Sequence, residues 1–209
     1  MLIKIDFVSP DRTVGCEKVF IFNEEKPATM SIEEALKLCK DNLSVKRKSL
    51  FFDKALETIS YRDLKLVWSI AAEIYARQTV FSGSFRTEWT TRSHLIRDAF
   101  DDDNGLTAVL WQVLPPYRGQ DLIIWRGEQA RRFEDGRIGL NWSTDRDQAE
   151  IFARGLCTSY PGGGTLLKAE ICAEDIISGF GTHAMDRREK GIVVDPTRVR
   201  KIESVSYYP

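Results

Sequence analysis

The tandem prolines Pro115-Pro116 separate two textures of chain, and this division constrains the fold more than any other feature. Proline lacks a backbone donor and disfavours helical backbone at the residue before it, so a helix cannot run through the pair. Upstream, apolar residues recur at helical spacing. Leu64, Val67, Trp68, Ala71, Ile74 and Tyr75 mark a helix over 61–78, and weaker patterns predict helices over 48–59, 86–100 and 105–113. Ser31 with Glu34 three residues on forms a capping box before Ile32, Ala35, Leu36 and Cys39. Downstream, short β-branched runs alternate with glycine-rich turns: 121–125, 165–173, 191–196 and 200–208 read as strands. One helix, 146–154, lies among them, with Asp145 placed to cap it. Residues 2–8 and 18–23 around a Pro/Asp/Gly-containing link predict a β-hairpin at the start. The expected class is α+β: a hairpin and helical region over 1–115 packed on a β-rich core over 116–209, as two regions or one integrated domain.

The chain has 209 residues, 43% of them apolar, with Trp 5, Tyr 6 and Phe 11. Such a supply of large side chains builds a sizeable core and argues against disorder. Trp68, Trp89 and Trp111 fall on the helical stripes and are expected in that core. A net charge of −1 excludes a global positive field for nucleic acid and leaves only local basic patches. The first ten residues, MLIKIDFVSP, are too short and too charged for a secretory or membrane-spanning segment. Cys16, Cys39, Cys157 and Cys172 form no CxxC pair, and His94 and His183 are the only histidines. The expectation is reduced thiols, a cytoplasmic protein (or one delivered into a host cytoplasm), no membrane partner and no metal.

Phosphate-loop, dinucleotide-fingerprint, HExxH and GxSxG patterns are absent. What remains is an ordered set downstream of the prolines. Arg126-Gly127 ends an apolar strand. NWSTDRDQAEIFA (141–153) runs from a polar strand end into a helix. A Gly162–Gly164 turn leads to LLKAEI, and RREKGIVVDP (187–196) sets Glu189 just ahead of another apolar strand.

This set resembles the ADP-ribosyltransferase fold family of the Arg–Ser–Glu type. That family carries an Arg on its first strand, an S-x-S/T segment before a helix ending in A-x-x-F-A, and a late E-x-E before an apolar strand. The resemblance covers about residues 120–208, with Ala149, Phe152 and Ala153 in place. It implies two packed, mostly antiparallel sheets with NAD, as substrate, in the cleft between them. The reaction it implies breaks the nicotinamide–ribose bond through an oxocarbenium-like transition state. Arg126 would then position NAD, its guanidinium forking onto phosphate oxygens. Gly127 would let the backbone approach the nicotinamide amide. The S-x-S/T segment falls on Asn141-Trp142-Ser143, so Asn141 and Ser143 would shape the ribose pocket while Trp142 packs inward on the opposite face.

The chain departs from the family at two positions. Asn141 stands where the family has Ser, and Gly191 stands where it has its second, catalytic Glu. Glu189 lies two residues earlier, a spacing that keeps the same strand face, and is the acid this reading favours. Asp186 and Glu128 are substitutes. His183, Arg187 and Arg188 in FGTHAMDRR correspond to the acceptor-recognition loop, and the arginines suit an acidic or phosphate-bearing acceptor. Arg131-Arg132 is a second basic pair. The activity implied is NAD-dependent mono-ADP-ribosylation of a macromolecular acceptor, a protein in preference to a nucleic acid. Two alternatives stand beside it: a non-catalytic binding protein on a degenerate form of the fold, and an NAD glycohydrolase using water.

Overall fold

A computed structural model describes residues 63–75, 79–179 and 190–209, together with Ser31, Glu33, Glu34 and Lys37. The expected hairpin over 2–8 and 18–23 and the helix over 48–59 lie outside the described residues, as do Cys16, Cys39, His183, Asp186, Arg187, Arg188 and Glu189. The capping box forms: the Ser31 amide donates to Glu34 Oε2 at 2.9 Å, and the Glu34 amide donates to Ser31 Oγ at 3.2 Å.

Three helices precede the prolines. α1 (Leu64–Tyr75) buries Leu64, Val67, Trp68 and Ala71, the stripe its periodicity predicts. α2 (Thr79–Phe100) starts earlier than expected and leaves helical geometry at Arg92 (φ −130°, ψ 17°). The bend has a local cause. The hydroxyls of Thr90 and Thr91, just before it, bond back to the carbonyls of Arg86 and Thr87, a habit that distorts helices. α3 (Asp103–Val113) is capped by Asp102, whose carboxylate accepts from the Asn104 amide at 3.0 Å. Trp68 makes edge contacts with Phe85 and Trp89, at centroid distances of 5.1 and 6.5 Å. Trp111 corrects its expected core placement. It is 37% exposed and lies under the Arg198 guanidinium, because it falls on the face of α3 away from the buried stripe of Leu106, Val109, Leu110 and Val113.

Past the prolines come β1 (Leu122–Gln129), α4 (Ala130–Glu134), β2 (Asn141–Ser143), α5 (Arg146–Arg154), β3 (Gly164–Ile171), β4 (Ile176–Ser178), β5 (Gly191–Val194) and β6 (Arg200–Tyr208). The strands form one six-stranded sheet in the order β4-β5-β2-β1-β3-β6, with every pairing antiparallel. The class is therefore α+β, as the sequence predicts. In place of two separate sheets there is one with a weak seam: β1 and β2 pair only at Trp125 opposite Ser143, whereas β1 and β3 pair along their whole length.

Three apolar clusters hold the layers. The first joins α1, α2 and α3 to Leu140, Ile177 and Val193, so the helices and the β4-β5-β2 half share a core. The second takes Trp142, Ile176, Ile192 and Val194 from that half and Ile124, Leu167, Ala169 and Ile171 from the other. The third packs Ala149 and Ala153 of α5 against Leu166. Asp145 caps α5, accepting from the amides of Asp147 and Gln148, and also receives Lys190 Nζ at 2.9 Å. None of the described helices is long and apolar enough to cross a membrane.

Candidate functional site

Alternation along β1 sets the site's chemistry. Ile124, Arg126 and Glu128 share one strand face, with Trp125 and Gly127 on the other. Strand β1 does not end at Arg126, as the sequence suggested. It continues to Gln129, because two residues of opposite charge on one face satisfy each other: Arg126 Nε donates to Glu128 Oε2 at 2.8 Å. Arg126 Nη1 donates to the Asn141 carbonyl across the β1–β2 seam.

A cavity of about 500 Å³ lies over this seam, walled by β1, β2, the start of β5, α2 and α5. Arg126, Gly127, Asn141, Ser143 and Gly191 all line it, so residues far apart in sequence meet on one surface. Glu189, His183, Arg187 and Arg188 lie outside the described residues. Among the described residues no group of His, Cys, Asp and Glu could hold a metal ion.

The cavity is locally cationic although the chain is not. Arg86, Arg97, Arg126 and Arg132 line it. Arg97 is held by Asp103 through a two-pronged bond at 2.7 and 2.5 Å. Arg132 reaches Glu128 Oε1 at 3.5 Å, while its Nη2 is buried with no hydrogen-bond partner among the described residues. Burial, and then repulsion from Arg97, Arg126 and Arg137, lower the Arg132 pKa against the pull of Glu128. Burial raises the Glu128 pKa, but Arg126, the Gly139 amide at 2.9 Å and Arg132 outweigh it, and the net shift is downward. Glu128 is thus an ionised, fully engaged carboxylate at the centre of an excess of guanidinium groups. His94, also on the wall, is shifted down by burial and by Arg92 against the pull of Asp98. Burial and the Glu128 charge push the Cys157 thiol up to about 11, which keeps this lining residue protonated.

Two matched residues have structural duties. Asn141 Oδ1 accepts from Trp89 Nε1 at 2.7 Å and its Nδ2 donates to Ser93 Oγ at 3.0 Å, which ties β2 to α2. Ser143 Oγ accepts from the Asp145 amide at 2.9 Å and so shapes the entry to α5. Gly191 offers its carbonyl to Arg86 Nη2 at 3.0 Å. Trp142 packs inward as expected, with its indole N–H on the Gly139 carbonyl. Asn141→Ala would leave the buried Trp89 N–H without an acceptor. We expect it to cost about 1–3 kcal/mol in urea unfolding, whatever Asn141 does for a ligand; an unchanged midpoint would remove this docking role.

The contribution of α2 escapes sequence reading. Arg86, Trp89, Ser93 and Arg97 follow one stripe of the helix, and all four bond to β2, β5 or the Ile138 carbonyl. Only the pattern of polar residues on an otherwise core-facing stripe hinted at it.

Compared with protein-family models, curated proteins and solved structures, the chain gives no match. Its functional reading rests on this geometry and on the residues that carry the resemblance.

Proposed function

We propose that the chain binds NAD in the seam cavity and transfers its ADP-ribose to a macromolecular acceptor, a protein in preference to a nucleic acid. The observation that carries this reading is that Arg126 and Arg132 share one carboxylate, Glu128, on a cavity whose volume suits a nucleotide-sized ligand. Guanidinium groups with charge to spare favour a diphosphate. The apolar rim of Phe152, Leu156 and Tyr160, each more than a third exposed, favours the flat rings at the ends of a dinucleotide.

The roles follow from what each group has left to give. Arg132, whose Nη2 has no hydrogen-bond partner among the described residues, neutralises phosphate charge. Arg126 is immobilised by Glu128 and the Asn141 carbonyl, so it presents its remaining N–H groups in one orientation. Glu128 has its oxygens taken by Arg126, Gly139, Gln129 and Arg132, which makes it a poor partner for a ribose hydroxyl. The carboxylate that stabilises positive charge growing on the ribose is therefore assigned to Glu189, two residues before Gly191 on the cavity wall. Nicotinamide leaves with the glycosidic electron pair, and a nucleophile of the acceptor takes the vacated ribose carbon while giving up its proton.

Purified protein should release nicotinamide from NAD when cell lysate supplies acceptor. NAD should also stabilise the folded chain, by about 2.7 kcal/mol at a hundredfold excess over Kd. Glu189→Gln should abolish release and keep the stabilisation. The engaged amide of Asn141 and the missing carboxylate at Gly191 favour a second reading, a non-catalytic NAD-binding module, which predicts stabilisation without release in the wild type. Neither release nor stabilisation would overturn both.

A further inference from the structure

Trp125 stands one residue before Arg126, on the opposite face of β1, and is among the residues lining the cavity. Two cations lie over its ring: the Arg146 guanidinium at 5.6 Å and the Lys168 ammonium at 5.8 Å from the centroid. Neither side chain has an ion pair or hydrogen bond among the described residues. Lys168 is in register with Glu203 on β6, yet the two form no salt bridge. Arg146 is the first residue of α5, where the helix dipole opposes a cation. Its charge therefore works against the stability of its own helix, and it is exposed. On the same strand face Ile123 is 51% exposed. The result is a small platform of two cations without an ion pair on an aromatic ring, with Glu203 across from Lys168 and Ile123 beside it.

We propose that this Arg146–Trp125–Lys168 platform seats an acidic polypeptide segment of the acceptor. The assignment to an acceptor rests on the transferase reading above; the binding itself does not. Charge complementarity selects the occupant. Cations held against an aromatic ring keep their heads oriented, which suits carboxylates. Nucleic acid would ask for an open aromatic face on which bases stack, and here cations occupy the ring. Ile123 adds a preference for an apolar residue next to the acids.

The test is fluorescence anisotropy of a labelled oligoglutamate peptide containing one leucine, with the full chain and no NAD. Binding should appear at low salt and fade as salt rises. The double variant Arg146→Gln/Lys168→Gln should weaken it by about tenfold or more, reading roughly 1.4 kcal/mol or more. Glutamine removes both charges without setting a carboxylate opposite Glu203, so the thermal midpoint should hold and loss of fold cannot mimic the result. No binding by the wild type, or equal binding by the variant, overturns the proposal. Tighter binding of a single-stranded oligothymidylate, lost in the same variant, overturns it in favour of a nucleic-acid surface. NAD stabilisation, measured in parallel, should be the same in both proteins. If NAD stabilises neither while the peptide behaves as described, the platform stands and the NAD reading falls.

Discussion

Replacing Glu128 by Gln is expected to cost the fold about 3 kcal/mol, among the largest effects of any substitution that keeps side-chain shape. The carboxylate is 4% exposed and faces Arg126 and Arg132. An amide retains the contact with the Gly139 amide but cancels no charge, which leaves guanidinium groups crowded against one another in a half-buried place. A double-mutant cycle separates charge from packing. Arg132→Met in the Glu128→Gln background should cost less than in the wild type, because one unbalanced cation has gone. The pH dependence follows with a definite sign. The Glu128 pKa is lowered on folding, so its contribution is fully present above the unfolded value of about 4.5 and is lost as pH falls through the lower folded value. The stability gap between wild type and Glu128→Gln should therefore be widest near neutrality and narrow in acid. Urea unfolding at several pH values measures it, and a gap that widens toward low pH would mean that Glu128 is not the charge partner described.

The same pair shows where sequence reading succeeds and where it stops. Local signals carried the downstream elements well. α5 runs over Arg146–Arg154 and β6 over Arg200–Tyr208, as predicted, because each is written in nearby residues: an Asp cap followed by a helical stripe, and a run of strand formers. Strand β1 outruns its sequence signal because its charged residues look like a strand end. Only the cross-face pairing of Arg126 with Glu128, and the β3 partner running alongside, show why it continues. β4 has three residues, too few for periodicity to register. In the site, the β1, β2 and β5 residues that resemble a known pattern were legible. The α2 wall was not: Trp89 meets Asn141 across 52 positions and Arg97 meets the Ile138 carbonyl across 41, and nothing local encodes such a meeting.

Gly127→Ala is the second large effect, expected at about 3 kcal/mol. A β-carbon at 127 would stand 2.3 Å from the Ala153 amide nitrogen, 2.6 Å from the Ala149 carbonyl oxygen and 2.9 Å from the Phe152 carbonyl carbon. All three are backbone atoms of α5, so no side chain can swing aside; the helix must lift from β1 and open the contacts of Ala149 and Ala153 with Leu166. Gly83→Ala is the matched control. It lies exposed in α2 with open space around it, and alanine there should gain up to about 1 kcal/mol of helix stability. Opposite signs at the two positions would establish close helix–strand approach as the reason for glycine at 127, and an unperturbed Gly127→Ala protein would exclude it. This bears directly on function. The resemblance reads this glycine as making room for nicotinamide, whereas packing against α5 accounts for it without any ligand. Unfolding measured without NAD isolates the packing requirement, and NAD affinity measured on whatever fraction of Gly127→Ala still folds isolates the other. A variant that is destabilised yet binds NAD normally once folded would assign the glycine to the scaffold and leave recognition of the dinucleotide to the arginines.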